Sequence, residues 1–253
     1  MSVPQTPRGH VERHADADAT AQAAAELFVA QARIAQAQGR AFRVALSGGS
    51  TPREYHALLA ASPLREQVDW SRIQFFWGDE RCVPPNSPDS NFGMARETLL
   101  RHVPVSEAQI HRMRGEDDPA EAARAYEAEV RAVFGAGPGD IPRFDLIFTG
   151  MGTNGHTLSL FPYTKALAIT DRLVTENAVR ELNTTRITFT TTLANNAALV
   201  ACVVVGHDKA DPLAEVVEGA YNPDLYPAQL IASTHGELRY IVDASAASKL
   251  KRS

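Results

Sequence analysis

Phe42-Arg-Val-Ala-Leu-Ser-Gly-Gly-Ser-Thr-Pro52 begins as a short apolar run and ends in a glycine pair, two hydroxyl residues and a proline. That order reads as a buried strand, a tight loop, and a helix opening at Pro52, a residue whose missing amide hydrogen costs nothing in a first helical turn. Upstream, residues 16–38 are rich in Ala, Gln and Glu, with Leu27, Phe28 and Ile34 spaced for one face and Gly39 as a stop, the pattern of a helix. Downstream, short apolar runs predict strands at residues 73–77, 145–149, 187–190, 199–205 and 238–242, and helical patterns separate them at 52–61, 90–102, 119–134 and 209–217. Strands that alternate with helices and are apolar on both faces imply an α/β fold: a mostly parallel sheet with helices on both faces.

Length and charge narrow the class. The chain has 253 residues, enough for one full α/β core, and 30 acidic against 25 basic residues, a balance without the electrostatic footprint of a nucleic-acid or anionic-membrane partner. An anionic ligand must then be held by a local site. The two cysteines, Cys82 and Cys202, have no ligand-spaced neighbours and read as free thiols in a reducing compartment. Residues 1–15 are polar, carry Pro4, Pro7 and Gly9, and lack the apolar core of a secretory signal, so they read as a flexible N-terminal arm before a single domain at 16–253. No run approaches the roughly 18 apolar residues of a membrane span, which makes the cytoplasm the default location. The Gly135-Ala-Gly-Pro-Gly139 stretch joins a helix to a strand and marks no domain boundary; the chain is expected to be a monomer or a dimer.

Three stretches carry chemistry. Ser47-Gly48-Gly49-Ser50-Thr51 lies between strand and helix, where backbone amides and hydroxyls converge on an anion; taken alone, it is also readable as a ligand-free glycine turn. Its spacing is neither that of a Walker loop nor that of a dinucleotide fingerprint. Trp77-Gly-Asp79-Glu80-Arg81 puts two carboxylates and a guanidinium past a strand end, as an active-site rim or as a solvated loop with an internal ion pair. In Phe144-Asp-Leu-Ile-Phe-Thr-Gly-Met-Gly-Thr-Asn-Gly-His156, the histidine follows three glycines beyond a buried strand, where backbone can approach a ligand closely. That setting favours a catalytic histidine over a structural one.

Taken in order, Ser-Gly-Gly-Ser-Thr-Pro, Trp-Gly-Asp-Glu-Arg, Gly-Met-Gly-x-x-Gly-His-Thr-x-Ser-Leu-Phe-Pro, Arg186-Ile-Thr-Phe-Thr and Gly206-His-Asp-Lys209-Ala resemble the 6-phosphogluconolactonase family over about residues 25–243. The family is similar in fold to glucosamine-6-phosphate deaminase, a modified Rossmann-like sheet. The run after His156 matches the lactonases rather than the deaminases. The resemblance implies hydrolysis of 6-phospho-D-glucono-1,5-lactone to 6-phosphogluconate, in the oxidative branch of the pentose phosphate pathway. Phosphate contacts are implied from Gly48, Gly49, Ser50 and Thr51 with Arg186 and Lys209 as a charged clamp, rim contacts from Asp79 and Arg81, and acid/base catalysis from His156. No metal or other cofactor is implied.

Two positions depart from the family pattern. Asn154 stands where the family usually has Asp, so it can orient His156 but adds no charge to stabilise an imidazolium. Asp79 is a candidate to supply that charge. Tyr163 stands where Gly is common, a change able to narrow the pocket entrance or alter substrate choice. The competing readings are a phosphosugar isomerase or deaminase, and a non-catalytic phosphosugar-binding module with a site decayed at Asn154.

Overall fold

In the computed structural model, which describes residues 8–251, the chain enters through β1 (His10–His14) and α1 (Ala17–Ala37). The Asp16 carboxylate caps α1 by accepting from the Ala19 amide at 2.9 Å, and Gly39, at φ +74°, turns the chain away from its end. β2 (Phe42–Leu46), α2 (Ser50–Leu59), β3 (Ile73–Trp77), β4 (Asp79–Arg81) and α3 (Asn91–Thr98) follow. α4 (Pro119–Phe134) opens on proline behind an Asp118 cap and leads to β5 (Leu146–Thr149). Beyond them lie β6 (Val174–Val179), β7 (Thr184–Phe189), the single turn α5 (Thr191–Ala194), β8 (Leu199–Val204), α6 (Ala210–Glu218) and β9 (Glu237–Asp243).

Six strands pair in the order β1-β9-β8-β5-β2-β3, all parallel. Val44, Leu46, Phe75, Trp77, Leu146 and Phe148 point to one core, shared with Phe28 of α1, Tyr55 of α2 and Phe92 of α3. Ala45, Phe76, Ile147 and Val200 point to the other, with Tyr126 and Val130 of α4 and Leu213 and Val216 of α6. Burial on both faces is why these strands read as continuous apolar runs. The direction of winding reverses at β2 and β5: β2 leads outward to β3, whereas β5 leads the other way to β8 and β9. Open α/β sheets bind ligands beyond the carboxyl ends of strands at such a switch point, and the chain leaves β2 into Ser47-Gly48-Gly49 and β5 into Gly150-Met151-Gly152.

The strand predicted at residues 187–190 lies outside the parallel sheet. It is the apolar end of β7, which pairs antiparallel with β4 and β6 in a separate three-stranded sheet. Gly78 joins the two sheets: its amide donates to Leu46 O at 3.0 Å in the large one, and its carbonyl accepts from Phe189 N at 2.8 Å in the small one. A Cβ there would stand 2.7 Å from Leu158 Cδ2, so a larger residue at the junction would displace the Leu158 side chain.

The flexible arm expected at residues 1–15 is corrected over its second half. Residues 1–7 fall outside the described residues, but His10–His14 pairs in register with Arg239–Asp243 as an edge strand. Pairing there uses the backbone and leaves most side chains toward solvent, so His-Val-Glu-Arg-His shows no apolar run. Among the described residues, no helix is long and apolar enough to cross a membrane.

Candidate active site

The loop after β2 turns through Gly49 at φ +110°, a backbone state that side chains disfavour, and Gly49 is also the N-cap of α2. With no side chain capping that end, the first amides of α2 and the hydroxyls of Ser50 and Thr51 are left to an anion. They border a cavity of about 280 Å³ whose far wall includes Gly150 and Met151 after β5, and Asp208 and Lys209 after β8. Lys209 Nζ meets Asp208 Oδ2 at 2.7 Å. The Asp208 carboxylate is 61% exposed, so it is a partner that a stronger anion displaces at little cost.

A second cavity, of about 150 Å³, shares Gly48, Gly150 and Met151 with the first, and the two make one crevice. Its walls include Asp79, Arg81, Asn91, Gly152 and His156. Gly152 allows the imidazole to lie against the backbone: a Cβ there would be 2.1 Å from His156 Nδ1. Gly152 N donates to His156 O at 2.9 Å, closing the loop, and Gly155 bends it at φ +74°.

His156 Nδ1 lies 2.6 Å from Asn154 Oδ1, which also accepts from the His156 amide at 3.2 Å. An atom that receives a backbone N–H is the amide oxygen, so Nδ1 carries the proton and Nε2 presents its lone pair. The ring stacks on Phe161, centroids 4.0 Å apart. Burial, reinforced by Lys209, Arg186 and Arg81, lowers the imidazole pKa to about 4. The ring is therefore neutral across the cellular pH range.

Asp79 is buried and takes hydrogen bonds from Ser159 Oγ at 2.6 Å and, more weakly, Asn91 Nδ2 at 3.4 Å. Burial raises its pKa; the Ser159 bond and the charges of Arg81 and Arg186 oppose the rise. The charges that depress the His156 pKa are the three cations, Lys209, Arg186 and Arg81, and the Asp79 carboxylate is engaged by Ser159 and Asn91. Glu80 differs from its neighbour. Its carboxylate accepts from the amides of Arg81, Asn91 and Phe92 at 2.7–2.8 Å and from Ser90 Oγ at 3.1 Å, which seats α3 on β4. Arg81 donates to the Asp89 carbonyl, so neither the rim nor the ion-paired loop describes the whole segment.

Arg186 faces Arg81 across the β4–β7 pair and donates to Thr184 Oγ1 at 2.7 Å; it belongs to neither cavity wall. Its own pKa is lowered by burial and by Arg81. Two adjacent guanidiniums repel each other and gain from an anion. Tyr163 is 72% exposed at φ +57° and borders a separate surface hollow with Thr164 and Asp224, so it does not narrow the crevice. Its left-handed backbone is the state that glycine adopts freely, which explains the residue more common there. Sequence reasoning missed Asn91 and Ser159, which reach Asp79 from 12 and 80 residues away. Among the described residues, no three His, Cys, Asp or Glu side chains converge where they would hold a metal ion.

Fold and crevice together define a doubly wound α/β protein with its ligand site at the switch point of the sheet. The family model for glucosamine-6-phosphate isomerases/6-phosphogluconolactonase matches residues 15–240. A 6-phosphogluconolactonase of Nostoc sp. is 41% identical over 84% of this chain and 86% of its own, and one of Haemophilus influenzae is 35% identical over 90% and 95%. The solved structure of 6-phosphogluconolactonase from Trypanosoma brucei superposes with a TM-score of 0.84 at 26% identity, covering 97% of this chain and all of that one. The chain belongs to the glucosamine-6-phosphate isomerase/6-phosphogluconolactonase family.

Proposed function

We propose that the chain hydrolyses 6-phospho-D-glucono-1,5-lactone to 6-phosphogluconate as one cytoplasmic domain that includes β1. The observation that carries the reading is a neutral imidazole, its Nδ1 held by Asn154, in the same crevice as the uncapped end of α2. The α2 amides, Ser50, Thr51 and Lys209 take the phosphate, with Arg186 adding charge from behind. The anchored phosphate then fixes C1 near Nε2. Water attacks C1 as Nε2 removes its proton; the C1–ring oxygen bond breaks as Nε2 returns that proton to the ring oxygen. Arg81 and the glycine amides stabilise the intervening oxyanion.

Purified protein is expected to consume the lactone faster than it opens spontaneously and to release no ammonia from glucosamine 6-phosphate. Ammonia release would move the chain to the deaminase branch. Thermal stabilisation by 6-phosphogluconate without turnover of either compound would make it a binding module.

Asn154→Asp tests the base. The unprotonated ring is the active form, so kcat/KM in the natural sequence is retained above about pH 4 and falls below it. A carboxylate on Nδ1 stabilises the imidazolium, raises the ring pKa and moves the acid limb to higher pH by roughly one to three pH units. A pH profile with an unmoved acid limb would show that His156 is not the titrating base.

A further inference from the structure

Asn91 is the first residue of α3 and only 1% exposed, yet it borders the crevice. Its backbone amide is fixed by Glu80 Oε1 at 2.7 Å. Its side-chain Nδ2 donates to the Asp79 carbonyl at 2.9 Å and approaches Asp79 Oδ1 at 3.4 Å. These contacts set the amide's orientation, because the flipped amide would point its oxygen at two oxygens of Asp79. Asn91 Oδ1 is left buried with no hydrogen-bond partner. It faces Gly48, where a Cβ would lie 1.7 Å away, so a glycine at 48 makes the room that this oxygen occupies.

A buried acceptor without a donor is costly, and one pinned from both sides cannot turn away to find water elsewhere. Around it the crevice is divided by chemistry. Lys209 and the free amides lie toward the start of α2; beside Gly48 stand two acceptors, the Asp79 carboxylate and the Asn91 carbonyl, with the Arg81 guanidinium in the same cavity wall. Adjacent acceptors between an anion site and an imidazole suit neutral donors, and the part of a phosphorylated sugar lactone between its phosphate and C1 carries secondary hydroxyls.

We propose that Asn91 Oδ1 accepts a hydrogen bond from one secondary ring hydroxyl of the sugar, making Asn91 a specificity determinant that selects substrates bearing that hydroxyl. The inference rests on the phosphosugar reading above. Glu80 and Asp79 are positioning residues for it, one holding the backbone and the other the amide.

The test compares the natural sequence with Asn91→Ala on the full lactone and on lactones made by oxidising 2-, 3- and 4-deoxyglucose 6-phosphate. On the full lactone kcat/KM is expected to fall about tenfold or more. On one deoxy lactone that penalty shrinks to within about twofold, because the lost partner is already missing. Penalties of equal size on all the lactones would overturn the proposal and leave Asn91 a structural residue or a partner of water. If Asn91→Ala does not melt as a folded protein, Asn91→Ser is measured against the same criterion. Calorimetric binding of 6-phosphogluconate and its deoxy counterparts repeats the comparison without turnover. A hydroxyl-dependent Asn91 penalty in binding, from a protein that hydrolyses no lactone, would uphold this contact while removing the lactonase assignment.

Discussion

His156→Ala is expected to lower kcat by about 10²-fold or more, the usual contribution of a positioned acid/base, with the affinity for 6-phosphogluconate changed only a few-fold. The two effects separate because the groups proposed to hold the anion lie on α2 and after β8, whereas the imidazole is held by its own loop. Removing the ring takes away the Asn154 bond and the Phe161 stack, but no strand pairing depends on either. A thermal melt close to that of the natural sequence is therefore part of the expected result. Rates must be corrected for spontaneous lactone opening, which sets the floor that the variant approaches. The residual rate should also lose its acid limb near pH 4, since the titrating group has gone. A kcat within a few-fold of the natural sequence would take His156 out of the mechanism, whatever the pH profile shows.

A neutral Asn at position 154 is compatible with the proposed mechanism. Burial and three cations already keep the ring unprotonated, and the Asn154 oxygen is enough to choose the tautomer. What Asn154 forgoes is stabilisation of the imidazolium in the middle of the reaction, which the Asn154→Asp substitution would restore.

The parallel sheet was legible because its central strands are buried on both faces: residues 42–46 and 73–77 follow their apolar runs from end to end. α4 was legible from its own ends, with Asp118 and Pro119 at one and Gly135 at the other. The small sheet was not. Val174-Thr-Glu-Asn-Ala-Val179 is polar through its middle, and Thr184-Thr-Arg186 is polar until the strand enters the core at Ile187. An apolar run gives no pairing partner or direction, so its last residues were assigned to the wrong sheet. In the site, His156 stood out through the local density of glycine, of which Gly152 admits the ring. Asp79 and Glu80 looked alike as neighbours in sequence. Only the folded chain separates them, one carboxylate on the crevice and the other closing the start of α3. Asn91 had no local signature beyond a helix start, because its meaning comes from Asp79 and Gly48.

Lys209→Ala is expected to raise KM for the phosphorylated lactone roughly ten- to a hundredfold, the range of one charge-assisted hydrogen bond, with a smaller change in kcat. In the unliganded protein Lys209 Nζ pairs with the exposed Asp208, an interaction of small net value, so removal of the ammonium leaves the fold nearly as stable. Once phosphate enters, that same ammonium faces a doubly charged anion between it and the α2 amides, and its loss is felt in full. Unphosphorylated gluconolactone offers nothing for it to hold, so any slow turnover of that compound should be unaffected at pH values well above the acid limb. A second effect distinguishes this charge from a passive one. Lys209 is the foremost of the cations that depress the His156 pKa, after burial, and its removal should shift the acid limb of kcat/KM to higher pH on either substrate. Equal losses on phosphorylated and unphosphorylated lactone would show that Lys209 maintains the crevice and does not bind phosphate. A limb that stayed in place while KM rose would confine its charge to the anion cavity and uncouple it from the imidazole.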